Sequence, residues 1–167
     1  STSGCKLMED EAIEAITTRL IPLATLITPN LSEAEILAGQ KINTVEDMQR
    51  QAKKMLELGC KGVLIKGGHL DGGQMCDVLQ TADDDAPHLF TAPKVESRNT
   101  HGTGCTLSSA IATYLALDEP VASAVEKAKQ YVYLGIESGK DVCIGHGHGP
   151  LNHFYSPVPM HIFDKNE

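Results

Sequence analysis

The 167 residues predict an α/β fold, a mostly parallel sheet with flanking helices. Three observations carry that expectation. Short apolar runs of strand length, "ATLIT" at 24–28 and "KGVLIKGG" at 61–68, alternate with stretches of helical periodicity. Two of the helical stretches stop at a glycine, Gly39 and Gly59, as chains leaving a helix commonly do. Three polar stretches, "TPNLSE", "KGGH" and "HGTGC", follow strand candidates at their carboxyl ends, where sheets of this kind gather ligands.

The elements follow in order. "MEDEAIEAITTRLIPLA" places Ile13, Ile16 and Leu20 at helical spacing and meets Pro22. "ATLIT" is a short buried-strand candidate. "PNLSEAEILAG" restarts a helix that stops at Gly39, and "TVEDMQRQAKKMLELG" is an amphipathic helix capped by Thr44 and closed by Gly59. "KGVLIKGG" is the second apolar strand. "QMCDVLQ" and "LFTAPKVES" read as further strands joined by the acidic loop "TADDDAPH". "HGTGC" then opens a helix of small residues, and a last helix covers about 120–138. The tail from 145 is irregular and rich in glycine, proline and histidine. There is no internal repeat and no low-complexity segment.

Composition narrows the function. A net charge of −8 argues against nucleic acid as a partner, because phosphate backbones are held by excess Lys and Arg. No apolar run reaches the ~20 residues of a membrane span, and no basic–apolar leader suggests a signal peptide. Five scattered cysteines without a CxxC pair fit reduced thiols in a cytoplasm. His146, His148 and His153 have no zinc-type companions at the usual spacings.

The stretch "RNTHGTGCTLSSAIATYLA" at 98–116 carries the strongest chemistry. A glycine turn at a helix start leaves backbone N–H groups aimed outward, and the helix dipole adds about half a positive charge there. Gly102, Thr103 and Gly104 would let an anion approach closely; a tight packing turn is the plainer alternative. Cys105, in the first turn, is either a modest base, since that position favours the thiolate, or a small buried filler. Asn30 and Glu33 have the spacing of a capping box, or of a carboxylate beside a metal ion near phosphates. Lys66 ends an apolar strand before two glycines. It is either a solvated lysine or one that reaches over the turn toward a phosphate.

Taken together, "TPNLSEAE", "VLIKGGH", "NTHGTGCTLSSAIA" and "GHGPLNHFY" resemble the hydroxymethylpyrimidine/phosphomethylpyrimidine kinases of thiamine biosynthesis, which have the ribokinase-like fold. The motifs occur in the family's order, and the similarity runs from about residue 1 to 155. The wider fold usually has an aspartate where this branch carries the cysteine.

The resemblance implies roles. Cys105 matches the proposed base that takes the proton of the substrate hydroxymethyl group. Gly102, Thr103 and Gly104 match the anion hole for the transferring phosphoryl. Asn30 and Glu33 match the N-x-x-E motif near Mg²⁺ and phosphate, and Lys66 matches a lysine near the nucleotide phosphates. Thr100 and Lys129 fall near the nucleotide site. The implied cofactors are ATP and Mg²⁺, and the implied partner is a small pyrimidine substrate. The family's first βαβ units, which supply most of the pyrimidine pocket, lie outside these residues. Residues 1–167 are then the C-terminal, nucleotide-binding part of a single ribokinase-like domain. A second copy of the chain, or a second polypeptide carrying the missing half, is the expected macromolecular partner. Two rival readings remain: a pyridoxine/pyridoxal kinase, and a nucleotide-binding module without catalysis.

Overall fold

The computed structural model describes residues 10–67 and 73–159. Cys5, most of the opening segment, and Gly68 and His69 of the "KGGH" turn lie outside the described residues. The chain forms two compact units, Ser1–Lys94 and Val95–Glu167.

In the first unit, helix α1 (Asp10–Ala15) runs into a π-helical turn, Ile16–Leu20, and then a 3₁₀ turn, Ile21–Leu23. Thr17 and Thr18 donate their hydroxyls to the carbonyls of Ile13 and Glu14, a back-bonding that loosens the regular ladder just there. Pro22 completes the stop.

Helix α2 (Leu31–Ala38) and helix α3 (Val45–Met55) both begin with reciprocal capping boxes, Asn30 with Glu33 and Thr44 with Asp47. Helix α2 ends at Gly39, which takes the left-handed conformation at φ 69°. A short 3₁₀ turn, Leu56–Leu58, carries α3 to Gly59, left-handed in the same way. Met48, Gln51, Ala52 and Met55 of α3 are buried, the i, i+3, i+4, i+7 stripe that its sequence predicts. Met48, Ala52 and Met55 pack with Ile21, Ala34, Ile42, Val63, Ile65 and Val78 into one core. Each fully buried side chain of this size contributes about 1.5–3 kcal/mol of apolar transfer.

The sheet corrects the expectation of mostly parallel pairing. Strands β1 (Gly62–Lys66), β2 (Gln74–Thr81) and β3 (His88–Pro93) lie in the order β1-β2-β3, and both pairings are antiparallel. The reason is connection length. Seven residues join β1 to β2 and six join β2 to β3, whereas a parallel crossover needs a dozen or more. The parallel element is "ATLIT". It does not form a regular strand, but residues 24–30 run parallel beside β1, bridged at Ile27–Val63 and Asn30–Lys66. The N–H groups of Lys61, Leu64 and Lys66 donate to the carbonyls of Ala24, Ile27 and Pro29 at 3.1, 2.8 and 2.9 Å. The α2–α3 pair is the crossover that makes this parallel contact possible.

In the second unit, helix α4 (Thr103–Ala116) packs on helix α5 (Val121–Gly139). Leu107 and Ile111 of α4 are buried, as are Ala124, Val125 and Ala128 of α5. The tail returns along α5. The Asn152 N–H donates to the Gly135 carbonyl at 2.9 Å, and Tyr131 stacks on His153 with ring centroids 6.3 Å apart. No helix among the described residues is long and apolar enough to cross a membrane.

Candidate functional site

The sequence-derived residues fall into two groups, one in each unit. In the first unit, two backbone segments end side by side, 24–30 and β1, and their ends carry Asn30 and Lys66. Asn30 caps α2. Its side-chain oxygen accepts the Glu33 N–H at 2.9 Å, and its own N–H donates to Glu33 Oε2 at 2.8 Å. The capping role is therefore real. Burial pushes the Glu33 carboxyl upward, while the hydrogen bond from the Asn30 N–H and, more weakly, the charge of Lys66 pull it down. An ionised carboxylate near a lysine at strand ends suits an Mg²⁺–phosphate edge. The described residues hold no cluster of three or more metal-ligating side chains. That is compatible with Mg²⁺, which binds through one or two carboxylates, water and substrate phosphates rather than an all-protein cage.

Asn30→Ala is expected to lower stability by about 1 kcal/mol through the lost cap. Asn30→Asp, which keeps the acceptor, should restore most of it. Thermal melts of both variants check this, and an unshifted Asn30→Ala melt would refute the cap's contribution.

Just past Lys66 the chain passes extremely close to β2. The Gly67 N–H donates to the carboxylate of Asp77 at 2.9 Å. Asp77 is buried and faces Lys66 across the β1–β2 register. Sequence reading did not select Asp77. A charged residue inside the apolar run "QMCDVLQ" was the signal that could have found it.

In the second unit, Gly102 is the N-cap of α4 at φ 86°, a left-handed conformation that suits glycine. Both the hydroxyl and the N–H of Thr103 donate to the Thr100 carbonyl, at 3.1 and 3.3 Å, and the Thr106 N–H donates to Gly102 at 2.8 Å. No side chain caps α4, in contrast to α2 and α3. The Thr103 N–H is thus held by the Thr100 carbonyl, and the N–H groups of Gly104 and Cys105 follow it at a glycine turn, the kind of arrangement that can receive an oxyanion. Cys105 is exposed in the first turn of α4.

The glycine turn does not directly follow a strand, as the sequence reading expects. Strand β3 stops at Pro93, and 94–100 is irregular. Lys129 is half-buried on α5, about 15 Å of helix before its Gly139 end.

Residues 1–152 match the phosphomethylpyrimidine kinase family model. The chain is 42% identical over 156 residues to the hydroxymethylpyrimidine/phosphomethylpyrimidine kinase of Rhizobium meliloti, covering 93% of this chain and 58% of that one. Among solved structures, the pyridoxal kinase of Staphylococcus aureus in complex with AMP-PCP aligns with a TM-score of 0.81 at 33% identity, over 89% of this chain and 54% of that one. The phosphomethylpyrimidine kinase of Clostridium difficile 630 aligns with a TM-score of 0.66 at 42% identity, over 81% and 53%. These neighbours are ribokinase-like α/β kinases. The chain spans little more than half the length of each of these three relatives. With the N-x-x-E cap, the strand-end lysine and the uncapped glycine turn all in the matched residues, the chain belongs to the phosphomethylpyrimidine kinase family.

Proposed function

We propose that the protein is the C-terminal, nucleotide-binding part, residues 1–167, of a single ribokinase-like domain. The whole enzyme phosphorylates hydroxymethylpyrimidine and then its monophosphate with ATP, in the cytoplasm, as a step of thiamine biosynthesis. The observation that carries this is the glycine turn at α4, left without a side-chain cap in a chain of this family.

Phosphoryl transfer passes through a loose transition state, so positioning and charge stabilisation dominate. The turn Gly102, Thr103 and Gly104 is the anion hole for the moving phosphoryl, through those of its backbone N–H groups that Thr100 does not hold. Cys105 accepts the proton of the attacking hydroxyl, help worth on the order of 10²–10⁴-fold. Lys66 and Asn30 are assigned to nucleotide phosphates in the first unit, and Thr100 and Lys129 to the nucleotide in the second. Glu33 would hold Mg²⁺, which supplies neutralisation of phosphate charge. The acceptor pocket comes from residues outside this chain. Segment 24–30, which lies beside β1 on the side away from β2, is where they join; a second polypeptide or a second copy provides them.

This chain alone is expected to turn over far below the usual enzyme range of about 1–10³ s⁻¹ in a coupled ADP-release assay with hydroxymethylpyrimidine. Turnover inside that range would overturn the assignment of the acceptor pocket to other residues. The similarity to pyridoxal kinases at 32–34% identity favours one second reading, a vitamin B6 kinase. Growth rescue of thiamine and of B6 auxotrophs by the intact gene separates the two. Rescue of the B6 auxotroph alone would replace the pyrimidine assignment. ADP binding without kinase activity in the intact protein would leave the third reading, a nucleotide-binding module.

A further inference from the structure

Asn99 stands three residues before Gly102, and its side chain is only 5% exposed. Its amide nitrogen donates to two carbonyls, Gly139 at the end of α5 at 2.6 Å and Val142 in the following loop at 2.7 Å. Both amide hydrogens are thereby used. On its other side lies Gly149, where a Cβ would come within 2.0 Å of Asn99 Oδ1. The next turn of backbone closes the arrangement, because the His101 N–H donates to the Gly149 carbonyl at 3.1 Å. Around the rim, Arg98 donates to the His146 carbonyl and His148 Nδ1 bonds to the Arg98 carbonyl, both at 3.3 Å. One buried amide thus fastens the approach to the glycine turn onto the end of α5 and the 142–149 loop.

We propose that Asn99 is a positioning residue for the anion-binding turn Gly102–Cys105, and that Gly149 is glycine to let it be so. The proposal rests on the reading of that turn as the phosphate site. No other side chain fits as well. Aspartate has the shape but no donors when ionised, and would set a carboxylate against two carbonyl oxygens. Alanine would leave both carbonyls facing a void.

The test has a ligand-free arm and a ligand arm, both on the full 167-residue chain. Amide hydrogen exchange is compared between the wild type and Asn99→Ala. The His101 and Thr106 N–H groups, whose acceptors are Gly149 and Gly102, are expected to exchange about tenfold faster or more, as the loss of two buried hydrogen bonds implies. Val63 and Ile65 in β1 should be unchanged. Unchanged exchange at His101 and Thr106 would overturn the proposal. Loss of protection throughout α4 and α5 would overturn it too, since Asn99 would then serve folding in general.

The ligand arm measures ADP affinity across pH for wild type and Asn99→Asp. The variant is expected to bind about tenfold more weakly at pH 7. Relative to wild type it should recover as pH falls through the carboxylate range, because a protonated acid regains one O–H donor. Equal affinity at pH 7, or a constant ratio across pH, would count against the role. Failure of the wild type itself to bind ADP would sink the phosphate-site reading instead, and the exchange arm would still decide whether Asn99 fixes the turn.

Discussion

Cys105→Ala is expected to lower the turnover of the complete kinase by about 10²-fold or more while leaving nucleotide affinity and melting temperature nearly unchanged. Within this chain the side chain is exposed in the first turn of α4, so its removal opens no space in the core of the second unit, and surface changes of this kind stay within about 0.5 kcal/mol. The N–H groups of the turn belong to the backbone and survive the substitution, so phosphate binding should persist. Cys105→Asp should recover part of the rate, since a carboxylate can accept the same proton. An aspartate in a first helical turn is also favoured by the dipole, by about 0.3–1 kcal/mol, and should not destabilise the fold. Rate, ADP affinity and thermal melts on all three proteins make the comparison. Full activity in the alanine variant would remove Cys105 from the mechanism.

The second large effect is structural. Gly67→Ala should destabilise the first unit by about 3 kcal/mol or more, a fall in melting temperature of about 10 °C. A Cβ at Gly67 would lie 1.9 Å from the Cys76 carbonyl oxygen and 3.0 Å from its carbon. Both atoms are backbone of β2 and cannot swing aside as a side-chain tip could. Relief would require opening the β1–β2 pair where Lys66 faces Asp77, and the Gly67–Asp77 hydrogen bond would go with it. Gly39→Ala is the control. Gly39 is left-handed at φ 69° but has nothing within 4 Å of an added Cβ, so only about 1–2 kcal/mol of backbone strain is expected there. Equal melting shifts for the two variants would show that strain, not the clash with β2, governs Gly67.

Much of this molecule was legible as sequence because the signals are local. Helix α3 follows from its i, i+3, i+4, i+7 apolar stripe, and its limits follow from Thr44 and Gly59. The Asn30–Glu33 spacing foretold a capping box, and the box is there. The glycine turn ahead of small residues foretold a helix start, and α4 begins there with Gly102 as its N-cap. Sheet direction was not legible. Strand candidates look alike whether they pair parallel or antiparallel, and the decision lay in connections too short for a crossover after β1 and β2.

Residue chemistry and spacing by themselves determined the helices, their caps, the strand candidates and the residue types suited to phosphate transfer. Only the tertiary structure decided which glycines are sterically forced. Gly67 and Gly149 look like ordinary loop glycines in the sequence, yet each faces an atom brought to it by chain nine or fifty residues away. The same holds for Asn99 and Asp77, polar residues whose partners come from other segments. Short-range periodicity and capping act within a turn or two of chain and so can be read in order. Close approach and the pairing of buried polar groups depend on where distant segments meet, which the fold alone fixes.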